Sequence, residues 1–321
     1  MNAAIVTAAG RSPIFGSFRE PVAQEGAEVI SVSASALSQF SKSRSTGAHY
    51  SSDGLFPAVA GIDGTGLTAD GRRVYFVMPE APFGALAERS IVRAGQCIPI
   101  PDGLDEVTAA AIANPGMSAW ASLVERAHLQ PGETVLINGA TGTAGRIAVQ
   151  VAKHLGAGKV IVSGRNAIEL EKLNADAVIP FSLDGSDPEG AQHYEKALCA
   201  VFEHGIDVVI DYLWGQSART ILAAITQAVE DATPVRFIQV GAASGTSSID
   251  LPSAALRSSS VVLMGSGIKS VPFSKLLEAV KHTFALAAAG KLQIATKTMP
   301  LSAIEEAWQA PISPRIVITI P

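Results

Sequence analysis

Two hydrophobic rhythms divide the chain. Up to about residue 112, short β-branched runs such as Ala3–Thr7, Glu28–Ser33, Arg73–Met78 and Leu86–Val92 are punctuated by Gly, Pro, Ser and Asp. Runs of that length between turn formers predict a mostly antiparallel β domain. From about Met117 to Gly265 the rhythm changes to buried strands alternating with amphipathic helices. Glu133–Asn138 reads as a strand. After a glycine-rich turn, Ala148, Val151, Ala152 and Leu155 fall on one face of a helix over Arg146–Leu155. Lys159–Ser163, Ile206–Asp211, Val235–Val240 and Val261–Met264 read as further strands. Continuous Val/Ile runs alternating with helices predict an α/β fold with a parallel sheet covered on both faces. From about Ile268, a helix over Phe273–Ala288 and a strand over Arg315–Ile320 are expected to pack back onto the first part.

Composition narrows the class. The 321 residues suit about two domains of ~100–200 residues each. Charged residues make up 17% of the chain and the net charge is −5. So weakly basic a balance argues against a nucleic-acid binder or a protein of anionic membrane surfaces. The cysteines, Cys97 and Cys199, are far apart and form no CxxC pair. That excludes a multi-disulfide scaffold or a four-cysteine zinc lobe and suggests a reducing, cytoplasmic setting. The opening MNAAIVTAAG lacks the charged n-region and apolar core of a signal peptide. The longest apolar stretch, Ala109–Val124, is broken by Asn114, Pro115 and Gly116, short of the ~20 residues a bilayer demands.

The strongest chemical signal is Asn138-Gly-Ala-Thr-Gly-Thr-Ala-Gly145, set between a strand and an amphipathic helix. Gly139, Gly142 and Gly145 supply the tight turn, the close backbone approach and the helix–strand packing that a pyrophosphate site requires. Thr141, Thr143 and Ala144 complete the cradle at the helix N-terminus. A fold that takes NAD carries an acid at the end of the next strand, for the ribose 2′-hydroxyl. Here that strand end reads Ser163-Gly164-Arg165-Asn166. Gly164 leaves room for a 2′-phosphate, Arg165 can pair with it through a planar fork, and Ser163 and Asn166 can donate further bonds. The expected cofactor is NADP(H). Tyr212 or Leu213, ending another strand, can flank the adenosine side.

With these residues in hand, the chain resembles the zinc-independent quinone oxidoreductases of the medium-chain dehydrogenase/reductase superfamily. The resemblance runs over nearly the whole length. Phe56-Pro-Ala-Val-Ala-Gly-Ile-Asp-Gly-Thr-Gly66, Gly71-Arg-Arg-Val-Tyr75, Phe83-Gly-Ala-Leu-Ala-Glu88 and Pro115-Gly-Met-Ser-Ala-Trp120 are similar to family segments in the family's order. It implies a GroES-like β-barrel domain from residues 1–115 and 267–321, and a Rossmann NADP-binding domain over 116–266. The cofactor would lie between them, and two chains would pair as a homodimer through their Rossmann sheets. The resemblance also puts Ser118, Gly241, Ala242 and Gly265 beside the nicotinamide. Departures matter as well. Where zinc-dependent relatives hold Cys and His ligands, this chain has Ala36-Leu-Ser-Gln-Phe-Ser41 and Gly61-Ile-Asp-Gly64, so no metal is expected. Ser38 and Ser41 also replace the usual Asn and Asp of the family's loop.

The expected activity is therefore NADPH-dependent hydride transfer to a quinone or other conjugated carbonyl. Reduction at a conjugated position leaves an enolate-like oxygen that needs a donor, and Tyr50, Ser38 and Ser41 are the candidate side chains. An enoyl-thioester or 2-alkenal reductase is the alternative on the same fold. A non-catalytic NADPH-binding sensor or structural protein is the alternative outside enzymology, because a fold does not fix a function. The partner expected in each case is a small molecule, not nucleic acid or membrane. His49, beside Tyr50, shows no metal-ligand spacing with any other histidine.

Overall fold

The computed structural model describes residues 1–311 and 313–321. The chain divides into two units, Met1–Asn114 with Val280–Pro321, and Pro115–Ala279. The second unit reaches past the expected boundary at residue 266. Ile268, Val271, Phe273 and Leu276 pack with Met117 and Ala121, which holds the start of the helix Phe273–Ala288 in that unit.

The second unit is built on six parallel strands. In spatial order they are Ala177–Pro180, Lys159–Gly164, Thr134–Asn138, Val208–Asp211, Pro234–Gln239 and Ser260–Gly265. Numbered along the chain, that is the order 3-2-1-4-5-6 of a doubly wound dinucleotide fold. Leu136, Ile161, Val209 and Phe237 share a core with Tyr194, Leu198 and Phe202 of the helix Gly190–Phe202 and Ile221 and Leu222 of the helix Gly215–Ala228. The helix Thr143–His154 contacts the strands Thr134–Asn138 and Lys159–Gly164. Each such side chain, once fully buried, contributes about 1.5–3 kcal/mol. The strand Ala177–Pro180 was not evident from hydrophobic runs, since it is short and ends in proline.

The first unit carries a seven-stranded sheet that is antiparallel except where Thr296–Pro300 runs parallel to Arg315–Thr319. Its longest strand, Ala27–Ala36, pairs with Arg315–Thr319, Asp63–Leu67 and Arg89–Arg93. A smaller sheet joins Ile14–Ser17, Asn2–Val6 and Ala58–Val59. Leu37, Phe76, Leu86, Trp308, Ile316 and Ile318 belong to the core of this unit. Inside it, the Tyr75 hydroxyl donates to Asp63 at 2.7 Å, and Arg315 is buried with its Nε and one terminal nitrogen unpartnered. Burial pushes the Asp63 carboxyl up to about 6, against the lowering pull of Tyr75 and Arg315. Among the described residues, no helix is long and apolar enough to cross a membrane.

Candidate functional site

In a sheet of order 3-2-1-4-5-6, a crevice opens beyond the carboxyl ends of strands one and four, where the connections diverge. Those strands are Thr134–Asn138 and Val208–Asp211, neighbours in the sheet. The glycine turn leaves the first. Gly139 has φ +84°, a left-handed conformation that glycine adopts without strain. The N–H groups of Gly139 and Ala140 donate to the Ser163 carbonyl at 2.9 and 3.1 Å, folding the turn against the next strand. A Cβ on Gly145 would stand 2.5 Å from the Gly139 carbonyl oxygen and 2.6 Å from the Ala140 Cα, so only glycine fits. Gly142 differs. A Cβ there meets only the Gly139 oxygen, at an ordinary 3.5 Å. The protein's own packing does not require that glycine, and its bare backbone is open to a ligand. It also caps the helix Thr143–His154 with no side-chain bond to the first-turn amides, which therefore suit an anion.

A buried polar network fixes the floor beneath the turn. Asn138 Nδ2 donates to Asp211 Oδ1 at 2.8 Å and to Ser217 Oγ at 2.9 Å. Ser163 Oγ donates to Asn138 Oδ1 at 2.9 Å and accepts from the Tyr194 hydroxyl at 3.3 Å. The Asp211 carboxylate accepts from the amides of Leu213 and Trp214, each at 3.0 Å. That pulls the loop across the crevice, where Leu213 lies over Gly139, within 2.9 Å of where its Cβ would be. Burial pushes the Asp211 carboxyl up to about 6, outweighing the lowering by Leu213, Asn138 and Trp214. The expectation for Ser163 is thereby corrected. Its hydroxyl is fully buried and committed to Asn138, so it does not reach toward a 2′-phosphate.

At the end of the second strand Gly164 is buried and Arg165 exposed. Asn166 caps the helix Ala167–Glu171 by accepting from the Glu169 amide at 3.1 Å, which leaves its amide nitrogen as a donor. Ser118, Tyr212, Gly241, Ala242 and Gly265 all lie in the second unit. The Tyr212 hydroxyl is buried beside Ser118 without a partner at hydrogen-bonding geometry, and burial raises its pKa. The Gly241 amide donates to the Asp211 carbonyl at 3.2 Å, while a Cβ on Gly241 would come within 3.0 Å of the Tyr212 carbonyl. Ala242 is exposed, as is Gly265, whose carbonyl accepts from Arg126 at 2.8 Å. Asn138, Tyr194, Asp211 and Ser217 were not foreseen as site residues. The available signal was a polar residue closing an otherwise apolar strand, in Thr-Val-Leu-Ile-Asn138 and Val-Val-Ile-Asp211.

The three side chains expected to serve catalysis lie in the first unit. Ser38 and Ser41 form a reciprocal capping box at the start of the helix Gln39–Ser45. Ser38 Oγ accepts from the Ser41 amide at 2.9 Å, and Ser41 Oγ accepts from the Ser38 amide at 2.8 Å. Both are buried; Ser41 Oγ also donates to the Ser38 carbonyl at 3.0 Å, which commits its proton, whereas Ser38 Oγ accepts from the Ser41 amide and keeps its own. Tyr50 is 64% exposed, its ring 4.1 Å from that of His49, whose Nδ1 lies 2.8 Å from Ser51 Oγ. The same unit has a small cleft of about 40 Å³ lined by Arg44, Asp53, Leu55, Phe56, Pro82 and Phe83 among others; Tyr50 is not in its lining. Among the described residues, no group of three His, Cys, Asp or Glu side chains could hold a metal ion.

No family model matches the sequence. The chain is 24% identical, over 96% of both chains, to tdiC, a probable NADPH-dependent quinone reductase of Emericella nidulans. It is 32% identical over 203 residues, 61% of its length, to one component of the phenolphthiocerol/phthiocerol polyketide synthase of Mycobacterium tuberculosis, of which the match spans 9%. The chain thus covers only a small part of that relative. A shorter match, 33% identical over 100 residues (31% of this chain and 28% of the relative), is to pgmF, a trans-enoyl reductase of Aspergillus terreus. In structure it is similar to the quinone oxidoreductase of Thermus thermophilus, solved alone and with NADPH. The TM-score is 0.78 at 24% identity, covering 99% of this chain and 100% of the other.

Proposed function

We propose that this chain belongs to the medium-chain dehydrogenase/reductase superfamily and transfers a hydride from NADPH to a quinone or another conjugated carbonyl without a metal ion. The observation that carries the cofactor assignment is the end of the second strand, where an exposed arginine follows a glycine and no acid stands. The remaining residues fit the same group. Gly142 and the unspent amides of Thr143, Ala144 and Gly145 accept the pyrophosphate. Arg165, with Gly164 and the Asn166 amide nitrogen, takes the 2′-phosphate. The orphaned Tyr212 hydroxyl and Ser118 offer polar contacts on the opposite side, with Gly241, Ala242 and Gly265 leaving the nicotinamide room. Bound NADPH supplies the hydride, and the chain's own work is to orient it and exclude water. The proton for the reduced acceptor comes from Tyr50, Ser38 or solvent, the Ser41 proton being committed to the Ser38 carbonyl.

Wild-type protein is expected to oxidise NADPH, and NADH much less well, when offered a panel of quinones and enones. No NADPH turnover with any acceptor would overturn the reading and favour a non-catalytic sensor. Arg165→Asp should weaken NADPH binding by about a hundredfold and NADH by about twofold or less, since it places an acid against the 2′-phosphate. Equal losses would remove the 2′-phosphate assignment.

The likeness to the trans-enoyl reductase favours a second acceptor class, an α,β-unsaturated thioester. A kcat/KM for a crotonyl thioester far above that for any quinone would make this the better description.

We place the homodimer expected from the family at the outer strand Ser260–Gly265. This strand closes one edge of the parallel sheet and exposes Val262 (44%) and Leu263 (38%). Val262→Lys should convert a dimer to a monomer in light scattering while leaving NADPH affinity within about twofold. An unchanged mass would move the interface elsewhere. The free thiols of Cys97 and Cys199 suit a cytoplasmic setting.

A further inference from the structure

Near the proposed 2′-phosphate position lies a carboxylate, Glu169, in the helix turn that follows Arg165. An acid near this strand end is what a dinucleotide fold uses to hold an unphosphorylated ribose. Left free, Glu169 could serve that purpose and would repel a phosphate dianion. It is not free. Arg146 Nη2 donates to Glu169 Oε2 at 2.5 Å, and Lys172 Nζ donates to Oε1. The two cations hold the Glu169 carboxyl below its ordinary pKa, Lys172 contributing most.

Arg146 is itself anchored, because its Nε donates to the Thr141 carbonyl at 3.0 Å, inside the glycine turn. The Thr141 side chain in turn borders Gly164, where a Cβ would stand 3.7 Å from Thr141 Cγ2 and Oγ1. One guanidinium thus links the loop that receives the pyrophosphate to the helix that follows the ribose position. Arg165, by contrast, has no ion pair among the described residues.

Resting on the NADPH reading, we propose that Arg146 sets the preference for the phosphorylated cofactor by clasping Glu169 against the glycine turn, leaving Arg165 uncontested for the 2′-phosphate. Arg146 is engaged by the Thr141 carbonyl and the Glu169 carboxylate, and its proposed role needs no contact with the cofactor. It is a positioning residue acting through Glu169.

The test uses binding alone. Wild type, Arg146→Gln, Glu169→Gln and the double variant are titrated calorimetrically with 2′,5′-ADP and 5′-AMP, with thermal unfolding as a check on folding. Wild type should prefer 2′,5′-ADP. Arg146→Gln should lose about tenfold in 2′,5′-ADP affinity while 5′-AMP changes by about twofold or less, because a freed carboxylate opposes only the phosphate. Glu169→Gln alone should keep the preference and, added to Arg146→Gln, should restore it. An equal loss for both nucleotides, without rescue, would overturn the proposal and reduce Arg146 to a tether of the turn. Should Arg146→Gln fail to fold, Lys172→Met releases the other side of the clasp and should shift the preference in the same direction; no shift would count against the proposal. A wild type that does not distinguish the two nucleotides would defeat the NADPH reading itself, an outcome separate from loss of the clasp.

Discussion

Gly145→Ala is expected to cost about 3 kcal/mol or more of stability, whereas Gly142→Ala, in the same turn, should cost less than about 1 kcal/mol. The difference lies in what each new methyl group would meet. At Gly145 it would overlap backbone, the Gly139 oxygen at 2.5 Å and the Ala140 Cα at 2.6 Å, and backbone packed against a strand cannot retreat cheaply. At Gly142 it meets one atom at van der Waals distance, and the residue already has φ −71°, which alanine adopts freely. The functional effects should run the other way. Gly142→Ala puts a methyl group where the pyrophosphate must approach, so NADPH affinity should fall by roughly tenfold to a hundredfold in a protein that unfolds almost normally. Urea unfolding and a nucleotide titration on the two variants check both halves. A Gly142→Ala protein with unaltered NADPH affinity would mean that the phosphates do not lie on this turn.

Asn138→Ala is expected to destabilise the second unit by about 3–5 kcal/mol. The side chain satisfies three buried partners at once, Asp211, Ser217 and Ser163, and its loss leaves their polar atoms short of a bond away from water. The penalty should also depend on pH. The folded-state pKa of Asp211 is already raised to about 6 by burial, so its contribution is fully present below the ordinary value of 3.8 and is lost as pH rises through 6. Removing Asn138 takes away a donor that favours the ionised form, which raises that pKa further. The gap between variant and parent should therefore widen as pH climbs above about 6. Denaturation curves at pH 5 and pH 7.5 would measure it, and a gap independent of pH would separate Asn138 from the titration of Asp211.

The parallel sheet and the glycine turn were legible in the sequence because both are local. Runs of Val and Ile bounded by turn formers declare strands, and three glycines at fixed spacing before an amphipathic segment declare the turn. The helix begins at Thr143, ahead of its first apolar position, because Gly142 adopts extended backbone and starts it. What stayed hidden depends on register. Asn138 pairs with Ser163 on one side and with Asp211 on the other, so three polar strand ends meet in one row. Nothing in any single strand announces that meeting, and it is why the Ser163 hydroxyl turns inward. The capping box of Ser38 and Ser41 was concealed differently. Its usual sign is a Glu or Gln at the third helical position, and here a serine stands there.

One consequence concerns the order in which the protein takes shape as it is synthesised. The strand Arg315–Thr319 completes the pairing of Ala27–Ala36, and the whole parallel sheet is encoded between them. Chains leaving the ribosome fold unit by unit, and contacts distant in sequence form late. The unit with the parallel sheet therefore has all its strands before the antiparallel unit has its last. The antiparallel unit, though it holds earlier strands, closes after the parallel one.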